Sequence, residues 1–411
     1  MGYNSLENDF IFLSDELYAL YTQALSDNIT ELKTLHPDFW EVLTNKHFVV
    51  SAEVDPLQQV KGLVYSIDYD SDIYHLIINP TLNCNFKCWY CYETHIKGSK
   101  MDNATIEKVK KHIIGELSRK NTKHLTISWF GGEPLLCYKQ VVLPILEFAN
   151  QYTTDKNIGF NSNFTSNGVL ISDTVLGSFE RLKIDGFQIT LDGHRDRHNN
   201  VRYFSNKKGS YDIIVSNIKK CLKHKVHVTC RINISKDTFA DIEKVIDDFS
   251  DLPTIDRGYL VFSFQQVWQE VTDIHVQILE LIDLFKSHGF ATQYNMYLDS
   301  VRNSCYADKK HQAIINYNGD VFKCSARDFT PENREGILKK DGTIEWNEKY
   351  YARMNIKFKN PPCMECKILP ICNGGCSQKA IECQNKNYCV RDFDENRKLE
   401  VVRAKLEHVL S

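Results

Sequence analysis

The sequence has no long hydrophobic run. Its longest apolar stretches, such as Tyr259–Phe264, fall far short of the ~18 residues that a membrane span needs. It also lacks an excess of either charge: 50 Lys+Arg stand against 53 Asp+Glu, a formal net charge of −3. That balance excludes a strongly basic nucleic-acid binder as the default reading, so no nucleic-acid and no membrane partner is expected. The first residues, MGYNSLENDF, carry neither the basic stretch nor the apolar core of a signal peptide, and the expected location is cytoplasmic. Cysteine is absent from residues 1–72 but reaches 14 over the whole chain. A disulfide framework suits a small secreted protein, which this 411-residue chain is not. Metal or cluster ligation is the better expectation.

Three regions separate by pattern. Residues 1–72 read as a helix at Ser14–Leu25, a second helix at about Ile29–Thr44 and a short strand at Phe48–Ser51, with Glu53–Lys61 as a turn or linker. From 73 to 288 strand and helix alternate. The expected strands are Tyr74–Asn79, His124–Phe130, Phe160–Thr165, Gly186–Leu191, Val226–Asn233 and Gly258–Gln266, each rich in β-branched or aromatic residues. Helices are expected at Asn103–Arg119, Tyr138–Tyr152, Asp173–Leu182, Tyr211–His224, Thr238–Phe249 and Asp273–His288. Six βα units in series predict an α/β fold with a parallel sheet, doubly wound or a partial barrel. In a barrel, ligands gather at the C-terminal ends of the strands. From 289 to 411 periodicity fades and cysteines crowd, which suggests a fold organised around metal.

The first cysteines follow the first strand as Cys84-x3-Cys88-x2-Cys91. Three thiolates in eight residues can wrap one centre. Iron–sulfur clusters take four cysteine ligands, so three leave one iron open, as a catalytic site requires. A zinc knuckle with His95 as fourth ligand is the alternative. Further along, Phe130-Gly131-Gly132-Glu133-Pro134 ends the second strand, and its glycines allow close backbone approach. Thr165-Ser166-Asn167-Gly168 ends the third. Thr190-Leu191-Asp192-Gly193, with His198 and Arg202 after it, ends the fourth, although a solvated surface cluster would also account for much of His194–Arg202.

CxxxCxxC after the first strand of a βα series, with an aromatic before its last cysteine, resembles the radical S-adenosylmethionine (radical SAM) superfamily over roughly residues 73–288. The resemblance implies a partial (β/α)6 barrel and a [4Fe–4S] cluster on Cys84, Cys88 and Cys91. The open iron would bind S-adenosylmethionine and generate a 5′-deoxyadenosyl radical. It further implies cofactor contacts from Tyr90, with its backbone near the adenine, and from Gly131, Gly132, Glu133 and Pro134. Ser166, Asn167, Thr190, Asp192, Arg202 and Asn233 complete that set. Two positions depart from the peptide-modifying members: Thr190 replaces Ser, and Asn199 replaces Asp.

Cys305-x13-Gly319-x4-Cys324, then Cys363-x2-Cys366-x5-Cys372-x3-Cys376 and Cys389, resembles the SPASM domain of a subset of that superfamily. The resemblance implies two auxiliary [4Fe–4S] clusters. Cys305, Cys324 and Cys376 would hold the first; Cys363, Cys366, Cys372 and Cys389 would hold the second. A zinc ribbon is the alternative for this region. Sulfatase-maturing members add a cysteine soon after the position of Cys305; here Tyr306–His311 has none, and His311 reads as a surface histidine, which would leave an open iron for a substrate thiol, with ligation by His311 as the alternative. Those members also place an Asp after the position of Cys324, where this chain has Ser325, with Asp328 three residues on. Cys383 reads as a free thiol. Cys137, Cys221 and Cys230 read as buried small side chains.

The resemblance implies a maturase for a ribosomally made precursor peptide with a leader, supplied with electrons by flavodoxin or ferredoxin. Thioether formation is the first expectation. Carbon–carbon cyclophane crosslinking, sulfatase maturation and a non-catalytic iron–sulfur or zinc scaffold are the alternatives. Residues 1–72 would recognise the leader by adding it to a sheet edge.

Overall fold

The computed structural model describes residues 1–119, 121–204, 206–239, 241–293, 304–383 and 386–410. Ala240, within the expected helix Thr238–Phe249, lies outside them. Two compact units emerge. The smaller joins Met1–Tyr69, Tyr297–Lys309 and Ala352–Ser411; the larger joins Asp70–Met296 and Lys310–Tyr351. Among the described residues no helix is long and apolar enough to cross a membrane.

The smaller unit opens on a hairpin of β1 (Gly2–Asn4) and β2 (Asp9–Ile11). Helix Asp15–Ser26 follows, capped by Ser14. The single helix expected at Ile29–Thr44 is instead broken. A 3-10 turn Ile29–Glu31 and a short helix Leu32–Leu35 precede helix Pro37–Asn45. Proline disfavours helical geometry at the residue before it, and His36 is non-helical (φ −152°, ψ 78°). The strand expected at Phe48–Ser51 does not form. His47 turns left-handed (φ 54°), and the amides of Phe48 and Val49 both donate to the Leu43 carbonyl. The expected linker Glu53–Lys61 is mostly helix. Asp55 caps Leu57 and Gln58, and Pro56 opens a helix running to Asp68. Val60 and Val64, one turn apart, bury against Leu369. Helix Glu395–Leu410 buries Val401 beside Ile368 and Ile371.

The larger unit is built on one eleven-stranded sheet. Its parallel strands are β3 (Ile73–Asn79), β4 (His124–Trp129), β5 (Gly159–Ser166), β6 (Ile184–Leu191), β7 (His227–Ile234), β8 (Leu260–Gln266) and β9 (Ala291–Gln293). They lie side by side in chain order. The first six agree with the expected strands to within two residues at either end. This is the α/β partial barrel that six βα units call for. Helix Asn103–Leu117 turns Ile106, Val109, Ile113 and Leu117 inward at helical spacing. Burying each such side chain is worth about 1.5–3 kcal/mol. The helix expected over Asp173–Leu182 is only Asp173–Leu176, followed by Gly177.

The sheet continues beyond β3. Strand β10 (Gln312–Asn316) pairs parallel to β3, placing Asn316 opposite Asn79. Then β11 (Asp320–Phe322), β12 (Gly336–Leu338) and β13 (Ile344–Trp346) add an antiparallel meander. Beneath β3, Tyr74 and buried His112 share a hydrogen bond of 2.5 Å, and His112 Nδ1 meets the Gly342 carbonyl at 2.7 Å.

Candidate cluster and cofactor site

The strand ends of the larger unit carry the expected residues. The loop after β3 holds Cys84, Cys88 and Cys91. Cys84 and Cys88 pack against the main core, while Cys91 is exposed. The Cys91 amide donates to the Cys88 carbonyl at 3.1 Å, so Cys88-x2-Cys91 is a tight turn. Burial pushes the Cys84 thiol up to about 12 and the Cys91 thiol up to about 11, and raises Cys88 as well. Thiolates in such a place need a cation to hold them ionised. His95 Nε2 lies 3.5 Å from Cys91 Sγ.

Neighbouring strand ends fix this loop. Gly131 and Gly132 are left-handed (φ 79° and 51°), and a Cβ on Gly132 would meet the Asn83 carbonyl at 2.3 Å. Their lack of side chains lets the cysteine loop itself come close. The Gly132 amide donates to Glu93 at 2.8 Å, and the Glu133 amide donates to Asn83 at 2.9 Å. Beyond Cys91, Thr94 donates to Asp328 through its amide (2.8 Å) and hydroxyl (2.5 Å). Tyr92 donates to the Ser325 carbonyl at 2.7 Å and stacks on Trp268.

Glu133 is fully buried. Its carboxylate accepts from the Leu135 amide (3.0 Å), the Ser166 hydroxyl (3.0 Å) and the Asn167 amide (2.7 Å). Burial still holds its carboxyl above the ordinary value. As placed, Glu133 ties the end of β4 to the end of β5 and caps the turn that Pro134 opens. Asn167 in turn donates to Asn85 inside the cysteine loop at 2.7 Å.

A third group sits at the end of β6. The Tyr90 hydroxyl donates to Asp192 at 2.7 Å and accepts from Arg202 at 2.7 Å; Arg202 stands 3.4 Å from Asp192. All three are largely buried. Burial raises the Asp192 carboxyl, while Arg202 opposes the rise. Tyr90 therefore joins the group through its hydroxyl, and its backbone carbonyl accepts from Gln269 at 3.1 Å. Thr190 lies on β6 in register with Arg231 of β7, and Asn233 follows two residues on, accepting from Arg231 at 2.8 Å. The surface reading of His194–Arg202 fails at His198, which is fully buried between the Asp192 amide and Ser210. Asn199 caps helix Tyr211–Lys223 by accepting from the Ser210 and Tyr211 amides. Arg231 and the carboxylate of Glu93 were not anticipated from the sequence. A cation among the apolar residues of β7 was the available signal.

A separate cavity in the smaller unit is lined by Cys363, Cys366, Cys372 and Cys389, with Arg391 and Lys398 beside them. Asn360 donates to Cys363 Sγ at 3.0 Å, and the Arg391 amide donates to Cys389 Sγ at 3.3 Å. The structure thus gathers four of the expected ligands around one space. Cys305 and Cys376 belong to the same unit and are exposed, whereas Cys324 belongs to the larger unit. Cys383 ends helix Ser377–Glu382 and does not line the cavity. His311 lines a cavity of about 290 Å³ in the larger unit with Tyr74, His112 and Gly342. Cys137, Cys221 and Cys230 are buried. Among the described residues, no three His, Cys, Asp or Glu side chains converge tightly enough for a single metal ion. Cluster ligation asks for a different spacing, because each thiolate binds its own iron. The thiol sets of Cys84, Cys88 and Cys91 on one loop and of Cys363, Cys366, Cys372 and Cys389 around one cavity have the chemistry that four-iron clusters require.

Comparison with known proteins agrees with this geometry. Residues 78–249 match the Radical SAM superfamily model. This segment is similar to a radical SAM domain. The chain is 28% identical over 184 residues to a cysteine-type anaerobic sulfatase-maturating enzyme of Clostridium novyi, covering 42% of this chain and 47% of that one. It spans about half the length of the first curated relatives it matches. Among solved structures, native anSMEcpe with bound AdoMet and Cp18Cys peptide superposes with a TM-score of 0.58 at 16% identity, covering 82% of this chain and 97% of that one. Streptococcus suis SuiB bound to precursor peptide SuiA does so with a TM-score of 0.54 at 15% identity, covering 94% and 93%. At such identities the likeness is one of fold.

Proposed function

We propose that this protein is a radical SAM oxidoreductase with a SPASM-type C-terminal region that matures a ribosomally made precursor peptide. The observation that carries the reading is the convergence of Cys84, Cys88 and Cys91 with the Glu133, Ser166–Asn167 and Asp192–Arg202 groups at the strand ends of a segment similar to a radical SAM domain. When bound, the cluster and S-adenosylmethionine would supply a 5′-deoxyadenosyl radical able to take hydrogen from a substrate carbon. Cys84, Cys88 and Cys91 would hold that cluster. Glu133 would fix the Ser166–Asn167 turn beside it. Thr190, Asn233 and Arg202 would orient the cofactor, with Asp192 and Tyr90 holding Arg202 in place.

The finer reading is thioether formation between a cysteine sulfur and a carbon of the peptide. Two auxiliary clusters would accept the surplus electron, with Cys363, Cys366, Cys372 and Cys389 holding one and Cys305, Cys324 and Cys376 the other. Flavodoxin or ferredoxin would supply the starting electron. The two-stranded hairpin β1–β2 leaves an open edge on each strand, which suits leader capture by strand addition. Sulfatase maturation is the second reading, favoured by the Clostridium novyi relative. Against it, Asp328 already holds Thr94.

Anaerobically reconstituted protein tests the proposal. Wild type should carry roughly 12 irons with negligible zinc, and the Cys84/Cys88/Cys91→Ala variant roughly 8. Only the wild type should release 5′-deoxyadenosine, and a cysteine-containing precursor should lose two hydrogens while its thiol disappears. A cysteine turned into an aldehyde instead would support sulfatase maturation. Stoichiometric zinc that survives the triple substitution, with little iron, would leave a scaffold.

A further inference from the structure

The inner face of the sheet in the larger unit carries a cation without a counter-charge. We propose that Arg231 binds a carboxylate inside the partial barrel, brought there by S-adenosylmethionine or by an acidic residue of the substrate peptide. The choice of these two sources rests on the functional reading above.

Three observations carry the site. The first is placement. Along β7, Cys230 and Ile232 are buried in the main core, so Arg231 between them faces the other way. Its neighbours in register are Thr190 on β6 and Ser263 on β8, which lie between core residues in the same manner. Asn233, two residues on, and Gln265 in register with it continue this face. The surroundings of Arg231 are thus polar, and none of these four side chains is acidic.

The second is pairing. Arg231 Nε donates to Asn233 Oδ1 at 2.8 Å, and Asn233 in turn hydrogen-bonds Asp192. Among the described residues, the two terminal nitrogens of Arg231 have no hydrogen-bond partner, and no carboxylate stands within ion-pair distance of them. Arg202 is the contrast, 3.4 Å from Asp192 and 2.7 Å from the Tyr90 hydroxyl. A guanidinium is a planar fork. With Nε held by Asn233 its plane is set, and the two remaining nitrogens match the two oxygens of a carboxylate.

The third is cost. Arg231 is part-buried. Burial lowers its guanidinium below the ordinary value, and Tyr92, Tyr90 and Asp192 only partly offset that. A cation drawn from water without a counter-charge is unfavourable, and a bound anion removes the penalty.

The test uses the reconstituted full chain as wild type, Arg231→Gln and Arg231→Lys. If the cofactor brings the carboxylate, calorimetry should show Arg231→Gln binding S-adenosylmethionine about tenfold more weakly or worse, with part of the loss recovered in Arg231→Lys. Decarboxylated S-adenosylmethionine should then bind wild type and Arg231→Gln alike. If the peptide brings it, S-adenosylmethionine should bind all three proteins alike. N-acetylglutamate methylamide should then give a saturation-transfer NMR signal with wild type that Arg231→Gln loses, while the glutamine analogue gives none with either. Arg231 has no ion pair to lose, so Arg231→Gln should keep the Tm of wild type. Equal binding of both carboxylate probes by wild type and Arg231→Gln would overturn the proposal. So would a fall in Tm shared by Arg231→Gln and Arg231→Lys, because Arg231 would then hold the barrel together. A wild type that binds no S-adenosylmethionine fails the functional reading instead, and the acidic probe then decides Arg231 by itself.

Discussion

The two cysteine-lined sites are held in opposite ways. The loop of Cys84, Cys88 and Cys91 is fastened from outside. Glu93 is bound by Gly132, Thr94 binds Asp328, and Tyr92 binds the Ser325 carbonyl. Cys84 and Cys88 rest on the main hydrophobic core. The cavity of Cys363, Cys366, Cys372 and Cys389 rests on helices and on Tyr3 of the short β1–β2 hairpin rather than on the large sheet. Cys363, Cys366 and Cys372 pack against clusters of three buried residues each, Val60, Val64 and Leu369 or Ile368, Ile371 and Val401. A catalytic centre with an open position needs a frame that stands without it. A structural centre can supply part of the folding energy of its own unit.

The largest expected effect breaks the second site. Cys372→Ala should leave the smaller unit open to limited proteolysis, whereas Cys88→Ala should leave both units resistant and remove only the iron held at the strand ends. Equal sensitivity in the two variants would erase the contrast. Next is Arg202→Met, which strands buried Asp192 without its cation. A broken buried pair costs about 3–5 kcal/mol, to be read as a fall in Tm. A change below about 1 kcal/mol would show that the strand-end frame does not depend on this group.

Glu133→Gln keeps the shape but turns one acceptor into a donor facing other donors. Leaving buried partners unsatisfied costs about 1–3 kcal/mol, and S-adenosylmethionine binding, followed by calorimetry, should weaken with it. Acidity probes the same frame from below. Burial lowers the His112 imidazole to about 4, under its ordinary value. The unfolded chain therefore takes up the proton first as pH falls, and stability is lost from about pH 6.5 down to about pH 4. Between pH 7 and 5.5 the loss should be about 1 kcal/mol. Denaturant titration should show a shallower pH dependence in His112→Gln than in wild type by about that amount, the remainder belonging to other buried histidines such as His198. The smallest effect belongs to Cys383→Ser, which should change stability by less than about 0.5 kcal/mol and leave iron content unchanged. Lost iron would make Cys383 a ligand.

Much of the larger unit was legible because its signals are local. Runs such as Leu76–Ile78 and Leu260–Phe264 announce buried parallel strands, and a spacing such as CxxxCxxC is read within eight residues. What escaped depends on distant pairings. The Tyr90 hydroxyl meets Asp192 across 102 residues, and Lys357 meets Asp68 across 289. Glu133 was legible as an acid beside two glycines; that it braces Ser166 and Asn167 required the strand order. The errors near the N-terminus had local causes that were visible but underweighted, namely Pro37 interrupting a helix and Asp55-Pro56 starting one.

The pairing of β10 with β3 bears on how the protein is made. The strand that carries the cysteine loop gains its β4 neighbour within about 50 residues of chain. Its other neighbour ends at Asn316. Pairing over so long a separation is slow, because the intervening chain must be ordered first. During synthesis β3 therefore remains an unpaired edge on one side until most of the chain has left the ribosome. Exposed edges invite association with other strands. Until that moment the loop of Cys84, Cys88 and Cys91 stands on a foundation that is only half built.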